Sequence, residues 1–143
     1  MKGLEKLNVA EQTISINSRK IVFKGRIEAV AISPDKIFVV VDMPSKDKVE
    51  EQNNLIKKYN LNVEYQTYSD SDISNNAFCY DYEGNLIWQI RPPKFKGFSD
   101  HKSPIVGVDF NEKKNELHVN DFMTFRYRVD MNTGERLDFI LTK

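Results

Sequence analysis

The chain holds one cysteine, Cys79, among its 143 residues, so no disulfide can close within it. Histidine is nearly as scarce, with His101 and His118 the only two. A metal site needs several His, Cys or carboxylate ligands converging, and neither histidine has a second one at helical or hairpin spacing. No excess of one charge sign exists either. Lys plus Arg is 21 and Asp plus Glu is 21, a formal net charge of zero. Proteins dedicated to nucleic acid or to anionic membranes carry a clear cationic surplus, so this balance argues against both. No run approaches the roughly 20 apolar residues of a membrane helix. No apolar stretch follows Met1-Lys2-Gly3-Leu4, as a secretory signal would require. The expected location is therefore the cytoplasm. The abundance of Lys, Asn and Ile hints at a bacterial source.

Motifs for chemistry are missing as well. There is no G-x-S-x-G nucleophile elbow and no glycine-rich phosphate loop. Asp70-Ser71-Asp72 matches the start of a calcium loop, but the glycine and distal glutamate do not follow. Cys79 lies between Phe78 and Tyr80, the setting of a buried thiol rather than a nucleophile. These readings predict no catalytic residue, no metal and no cofactor.

What is present is an ordinary globular composition, 40% hydrophobic and 29% charged, at a length that suits one domain over 1–143. Period-two alternation dominates, the mark of half-buried strands. Thr13-Ile14-Ser15-Ile16 alternates, Asn17-Ser18-Arg19 turns, and Ile21-Val22-Phe23 returns. Ile37 to Val41 is apolar at every position, which predicts a strand buried on both faces. Phe125, Tyr127 and Val129 share one strand face, with Arg126 and Arg128 on the other. Two segments break this rhythm. Residues 45–59 read as a surface helix capped by Ser45, with a narrow stripe of Val49, Leu55, Ile56 and Tyr59. Arg91 to Pro104 carries three prolines and a glycine, and reads as a long loop.

The strand pattern repeats. The first copy runs Ile27–Ile32, Ile37–Asp42, Ala77–Tyr82 and Leu86–Ile90. The second runs Ile105–Phe110, Leu117–Asn120, Phe122–Asp130 and Leu137–Leu141. In each, the third strand ends in aspartate (Asp81, Asp130), a glycine turn follows (Gly84, Gly134), and an aromatic sits in the fourth strand (Trp88, Phe139). An insertion over 44–76, holding the helix, divides the first copy. Tyr80-Asp81-Tyr82-Glu83-Gly84-Asn85-Leu86-Ile87-Trp88 and Val129-Asp130-Met131-Asn132-Thr133-Gly134-Glu135 resemble the blade ends of β-propeller proteins, of the quinoprotein or WD40 type. The resemblance implies an all-β, mainly antiparallel fold with two blade-like four-stranded sheets side by side and one surface helix in the insertion. It places Trp88 and Phe139 at similar positions in the two sheets. Propellers need at least four blades, so the resemblance carries the sheet form and no quinone.

Charge is segregated locally. No Lys or Arg occurs from 59 to 90, where Glu64, Tyr65, Tyr68, Asp70 and Asp72 form an acidic, tyrosine-bearing stretch. Lys94, Lys96, His101 and Lys102 then make the long loop basic. Opposite poles of this kind suit oriented protein association, where complementary charge sets on-rate and specificity. The bland alternative is two solvated loops. The expected function is non-enzymatic protein binding. In general habit the chain resembles bacterial immunity proteins that neutralise a toxin, with a nuclease as one candidate and the acidic stretch on its basic surface. The alternatives are a small-ligand-binding or enzymatic β-module around His101, and a subunit that completes a larger propeller through open sheet edges.

Overall fold

The computed structural model describes residues 3–43, 46–60, 73–98 and 102–141. Its strands form three antiparallel sheets. The first joins β1 (Leu7–Val9), β2 (Thr13–Ile16) and β3 (Arg19–Val22) in chain order. The second joins β4 (Arg26–Ile32), β5 (Lys36–Asp42), β6 (Ala77–Asp81) and β7 (Leu86–Gln89). The third joins β8 (Ile105–Asn111), β9 (Glu116–Asp121), β10 (Phe125–Val129) and β11 (Arg136–Leu141). Between β5 and β6 stands the one described helix, α1 (Lys46–Lys58). The all-β architecture with two four-stranded meanders and a helix in the insertion is the one the alternation predicts. The three-stranded sheet lies outside the repeat and adds a third layer.

The sheets stack with the β4–β7 sheet in the middle. Alternation along β5 explains this. Phe38 and Val40 project to one side and join Cys79, Trp88, Leu117, Val119, Tyr127 and Val129 in one core. Ile37, Val39 and Val41 project to the other and join Ile14, Ile16 and Tyr80 in a second core. The apolar run that predicts a doubly buried strand is thus buried on both faces. β4 and β5 pack beside β8, bringing the two meanders together.

Two buried polar side chains tie the layers. Asn76 donates from Nδ2 to the carbonyls of Val41 (2.7 Å) and Ile105 (2.8 Å), and its Oδ1 accepts from the Ile105 amide at 2.8 Å. One amide thereby fixes the start of β8 to the end of β5. Arg136 is also buried. Its Nε donates to the Arg91 carbonyl at 3.0 Å, and its NH2 group to the Ser74 carbonyl (3.3 Å) and Asn75 Oδ1 (3.2 Å). The guanidinium lies over the Tyr127 ring, 4.6 Å from its centre, and Tyr127 donates to Asp121 Oδ2 at 2.9 Å. Burial holds Arg136 below the usual arginine range, and burial together with Asp121 raises Tyr127.

The repeat is real in its turns. Asp81 Oδ1 accepts from the amides of Glu83 and Asn85, and Asp130 Oδ1 from those of Asn132 and Thr133. Gly84 and Gly134 both adopt positive φ, at 83° and 76°. At Gly134 a side chain would also strike Trp88, 2.7 Å from where its Cβ would stand. Each turn is followed by a bulge at the same place, after the pairs Tyr80↔Leu86 and Val129↔Arg136. The aromatics, however, do not match. Trp88 pairs with Cys79 in the second rung, whereas Phe139 pairs with Tyr127 in the third. An offset of one residue turns a side chain to the opposite face, so Trp88 corresponds to Asp138 and not to Phe139.

In α1, Leu55 and Tyr59 are 47% and 63% exposed and Ile56 is half-buried, so the helix lies on the surface. Two of the expected stripe residues therefore face solvent. The proposed cap, Ser45, lies outside the described residues. No helix among the described residues is long and apolar enough to cross a membrane.

Candidate protein-binding surface

Loop residues 91–98 leave β7 and cross the third sheet. The Arg91 amide donates to the Gly134 carbonyl at 3.0 Å, which fixes the start of the crossing. Two phenylalanines then hold the loop down. Phe95 stacks parallel to Tyr127 at 6.4 Å and meets Phe139 at 4.8 Å between ring centres. Phe98 meets Phe139 at 4.7 Å and packs edge-on to Phe125 at 5.2 Å. Such contacts contribute roughly 0.5–1.5 kcal/mol each beyond burial. The alternate residues, Lys94 and Lys96, are exposed. Lys94 has a distant acidic neighbour, Glu135 at 4.0 Å, and retains 68% of its side-chain exposure. The sequence Lys-Phe-Lys-Gly-Phe thus sets aromatic anchors inward and cations outward. Cations alone were legible as a basic loop; the anchoring needed the partner strand that brings Phe125, Tyr127 and Phe139 under it.

At the loop's far end the backbone meets the β9–β10 turn. The Phe122 amide donates to the Pro104 carbonyl at 2.9 Å, and the Met123 amide to Ser103 Oγ at 3.1 Å. Phe122 and Met123 are 76% and 57% exposed. Lys102, next to Ser103 in the chain, is exposed. His101 lies outside the described residues, as do Glu64, Tyr65, Tyr68, Asp70 and Asp72. The insertion's return is described from Ile73, and Arg136 and Asn76 pin it to the core through Ser74, Asn75 and Asn76 itself.

A second polar surface escaped the alternation of β9–β11 as a site. The face turned away from the core carries Glu116, His118, Arg126, Arg128 and Asp138. Glu116 Oε2 lies 3.2 Å from His118 Nε2, and Arg126 lies 2.9 Å from His118 Nδ1 and 3.5 Å from Asp109. Arg128 grips Asp138 through Nε and NH2, at 3.0 and 2.9 Å, and this carboxylate raises its already high pKa. The signal was in the sequence as Arg126 and Arg128 alternating with Tyr127 and Val129. An open cleft of about 330 Å³ lies where the β4–β5 turn approaches the β10–β11 turn, with Ser33, Asp35, Lys36, Asp130 and Asn132 among its lining. The hydrogen bond from Lys36 holds Asp35 below the usual carboxylate range.

The remaining candidate groups are structural. Cys79 is fully buried, and burial pushes its thiol up to about 12, away from the reactive thiolate. His118 is the strand histidine the alternation predicts. Among the described residues no group of His, Cys, Asp and Glu converges as metal ligands. A scan against protein-family models found no match, and a search of curated proteins found no significant one.

Proposed function

We propose that the chain is a non-enzymatic protein-binding module, and that it serves as a bacterial immunity protein that neutralises a cognate toxin, with a nuclease as the favoured class. The observation that carries the binding reading is the anchored loop. Phe95 and Phe98 fix the backbone, so association need not order the loop itself and only the side-chain rotamers of Lys94 and Lys96 remain to be fixed. Exposed Phe122 and Met123, at the loop's far end, supply the apolar contact that charge alone lacks. The acidic stretch with Glu64, Tyr65, Tyr68, Asp70 and Asp72 offers the opposite pole for a basic partner surface.

The shared Asp–Gly turns and bulges support the likeness to propeller blades. The charged outer face of the third sheet speaks against completion of a larger propeller. A further blade would bury Glu116, His118, Arg126, Arg128 and Asp138, at a desolvation cost their ion pairs barely repay.

Co-expression tests the reading. The protein encoded beside this chain is expressed alone and with it, and growth and complex formation are followed. Rescue of growth with a co-purifying complex is expected. Toxicity unrelieved by the chain would remove the immunity reading.

A further inference from the structure

The outermost strand of the third sheet, β11, is built unlike a protected edge. Natural edges are blunted by short length, proline or inward charges. β11 runs six residues without proline and carries one acid, Asp138, beyond its buried first residue Arg136. Leu137, Phe139, Ile140 and Leu141 are 39%, 37%, 62% and 58% exposed. It pairs with β10 alone among the described residues. The corresponding last strand of the middle sheet, β7, is shorter, and its Trp88 donates to the Met131 carbonyl beyond β10.

Unmatched cations flank this edge on one face. On the core-side face, Phe139 touches Phe95, whose neighbours in sequence are Lys94 and Lys96. On the outer face, Ile140 lines a shallow groove of about 260 Å³ where His118, Arg126 and Arg128 are matched by Glu116, Asp109 and Asp138. Beside the loop lysines, Glu135 reaches Lys94 only at 4.0 Å. Lys96 has no ion pair among the described residues. An unpaired strand with exposed apolar side chains, surplus positive charge on one face and a charge-balanced groove bearing Ile140 on the other matches one kind of ligand. That ligand is an extended segment whose backbone continues the ladder and whose side chains are acidic and apolar in alternation.

We propose that β11 is a docking edge that accepts an extended acidic segment of a partner protein as an additional strand. The proposal rests on the protein-binding reading and names the mode and chemistry of one contact. The probe is a labelled peptide alternating Glu and Val, titrated into the full chain by fluorescence anisotropy. Controls are the same peptide with Lys for Glu, and the Glu peptide with alternate amides N-methylated. The acidic peptide should bind about tenfold more tightly than the Lys peptide, the equivalent of two exposed ion pairs, and more tightly than the N-methylated peptide, which lacks the ladder amides. Added salt should narrow that gap. In the Lys94→Glu/Lys96→Glu variant the preference between acidic and basic peptides should reverse, and the circular dichroism spectrum should stay unchanged. Amide resonances of residues 137–141 should shift on binding and exchange more slowly. Equal binding of the N-methylated peptide, indifference to peptide charge, or shifts elsewhere would overturn the proposal. Dimers of the chain itself with protected β11 amides would overturn it too, by assigning the edge to a second copy. A chain that relieves toxicity yet ignores the acidic peptide loses this edge and keeps the binding reading. Binding of the peptide without relief of toxicity does the reverse.

Discussion

Asn76 shows how much one residue decides. Its side-chain amide satisfies one amide and two carbonyls that the packing of two sheets would otherwise leave buried and unpaired. Asn76→Ala should destabilise the fold by about 3 kcal/mol, since each abandoned buried group costs about 1–3 kcal/mol. Urea unfolding measures it, and a loss below the cost of one such group would assign the seam to apolar packing alone. Asp81 supports a prediction in pH. Partial burial acts to raise its pKa, but hydrogen bonds from Asn85 and Glu83, helped by Arg19, outweigh it and hold the carboxylate low. A carboxylate lowered by folding stabilises the fold above its unfolded value and loses that contribution as acid protonates it. The melting temperature of wild type should therefore fall more steeply below about pH 4 than that of Asp81→Asn. Parallel curves would show that the turn does not depend on the charge. Asp81 was readable as the start of an Asp–Gly turn, but the role of Asn76 was not. Asn76 stands among polar neighbours in a polar insertion, and only the partner strand across the seam reveals what it bonds.

At the scale of elements, the sequence showed most of what local pattern can carry. The apolar run Ile37 to Val41 could only be a strand covered on both faces, and it is. The Asp–Gly turns came through because φ above zero and an aspartate acceptor are local requirements. The matching of Trp88 with Phe139 failed on spacing: Trp88 stands four residues after its glycine and Phe139 five, and in a strand one residue changes the face. Loop 91–98 meets the limit of local pattern. Its lysines were legible as charge, while Phe95 and Phe98 read only as loop residues until Tyr127 and Phe139 came under them. Phe95→Ser should cost about 2 kcal/mol, roughly half of a fully buried phenylalanine's loss. More tellingly, it should free the loop: amides of 94–98 should exchange faster and proteolysis should begin there. Unchanged exchange would mean that the backbone bond from Arg91 and the prolines hold the loop without its anchor.

For the whole molecule, three stacked sheets place two cores around a middle sheet, and the outer face of the third sheet ends the stack in charge rather than in apolar surface. The binding account uses the anchored basic loop and the exposed Phe122 and Met123, together with the acidic composition of the sequence from Glu64 to Asp72. Its most direct test is the affinity between this chain and its adjacent gene's protein product, measured by calorimetry at low and at high salt. Wild type is compared with Asp70→Lys/Asp72→Lys. The account predicts a one-to-one complex that weakens as salt rises, and a loss of about tenfold in the double reversal, the worth of two exposed pairs, with the melting temperature unmoved. No complex at either salt concentration, or an affinity indifferent to both salt and charge reversal, would contradict it.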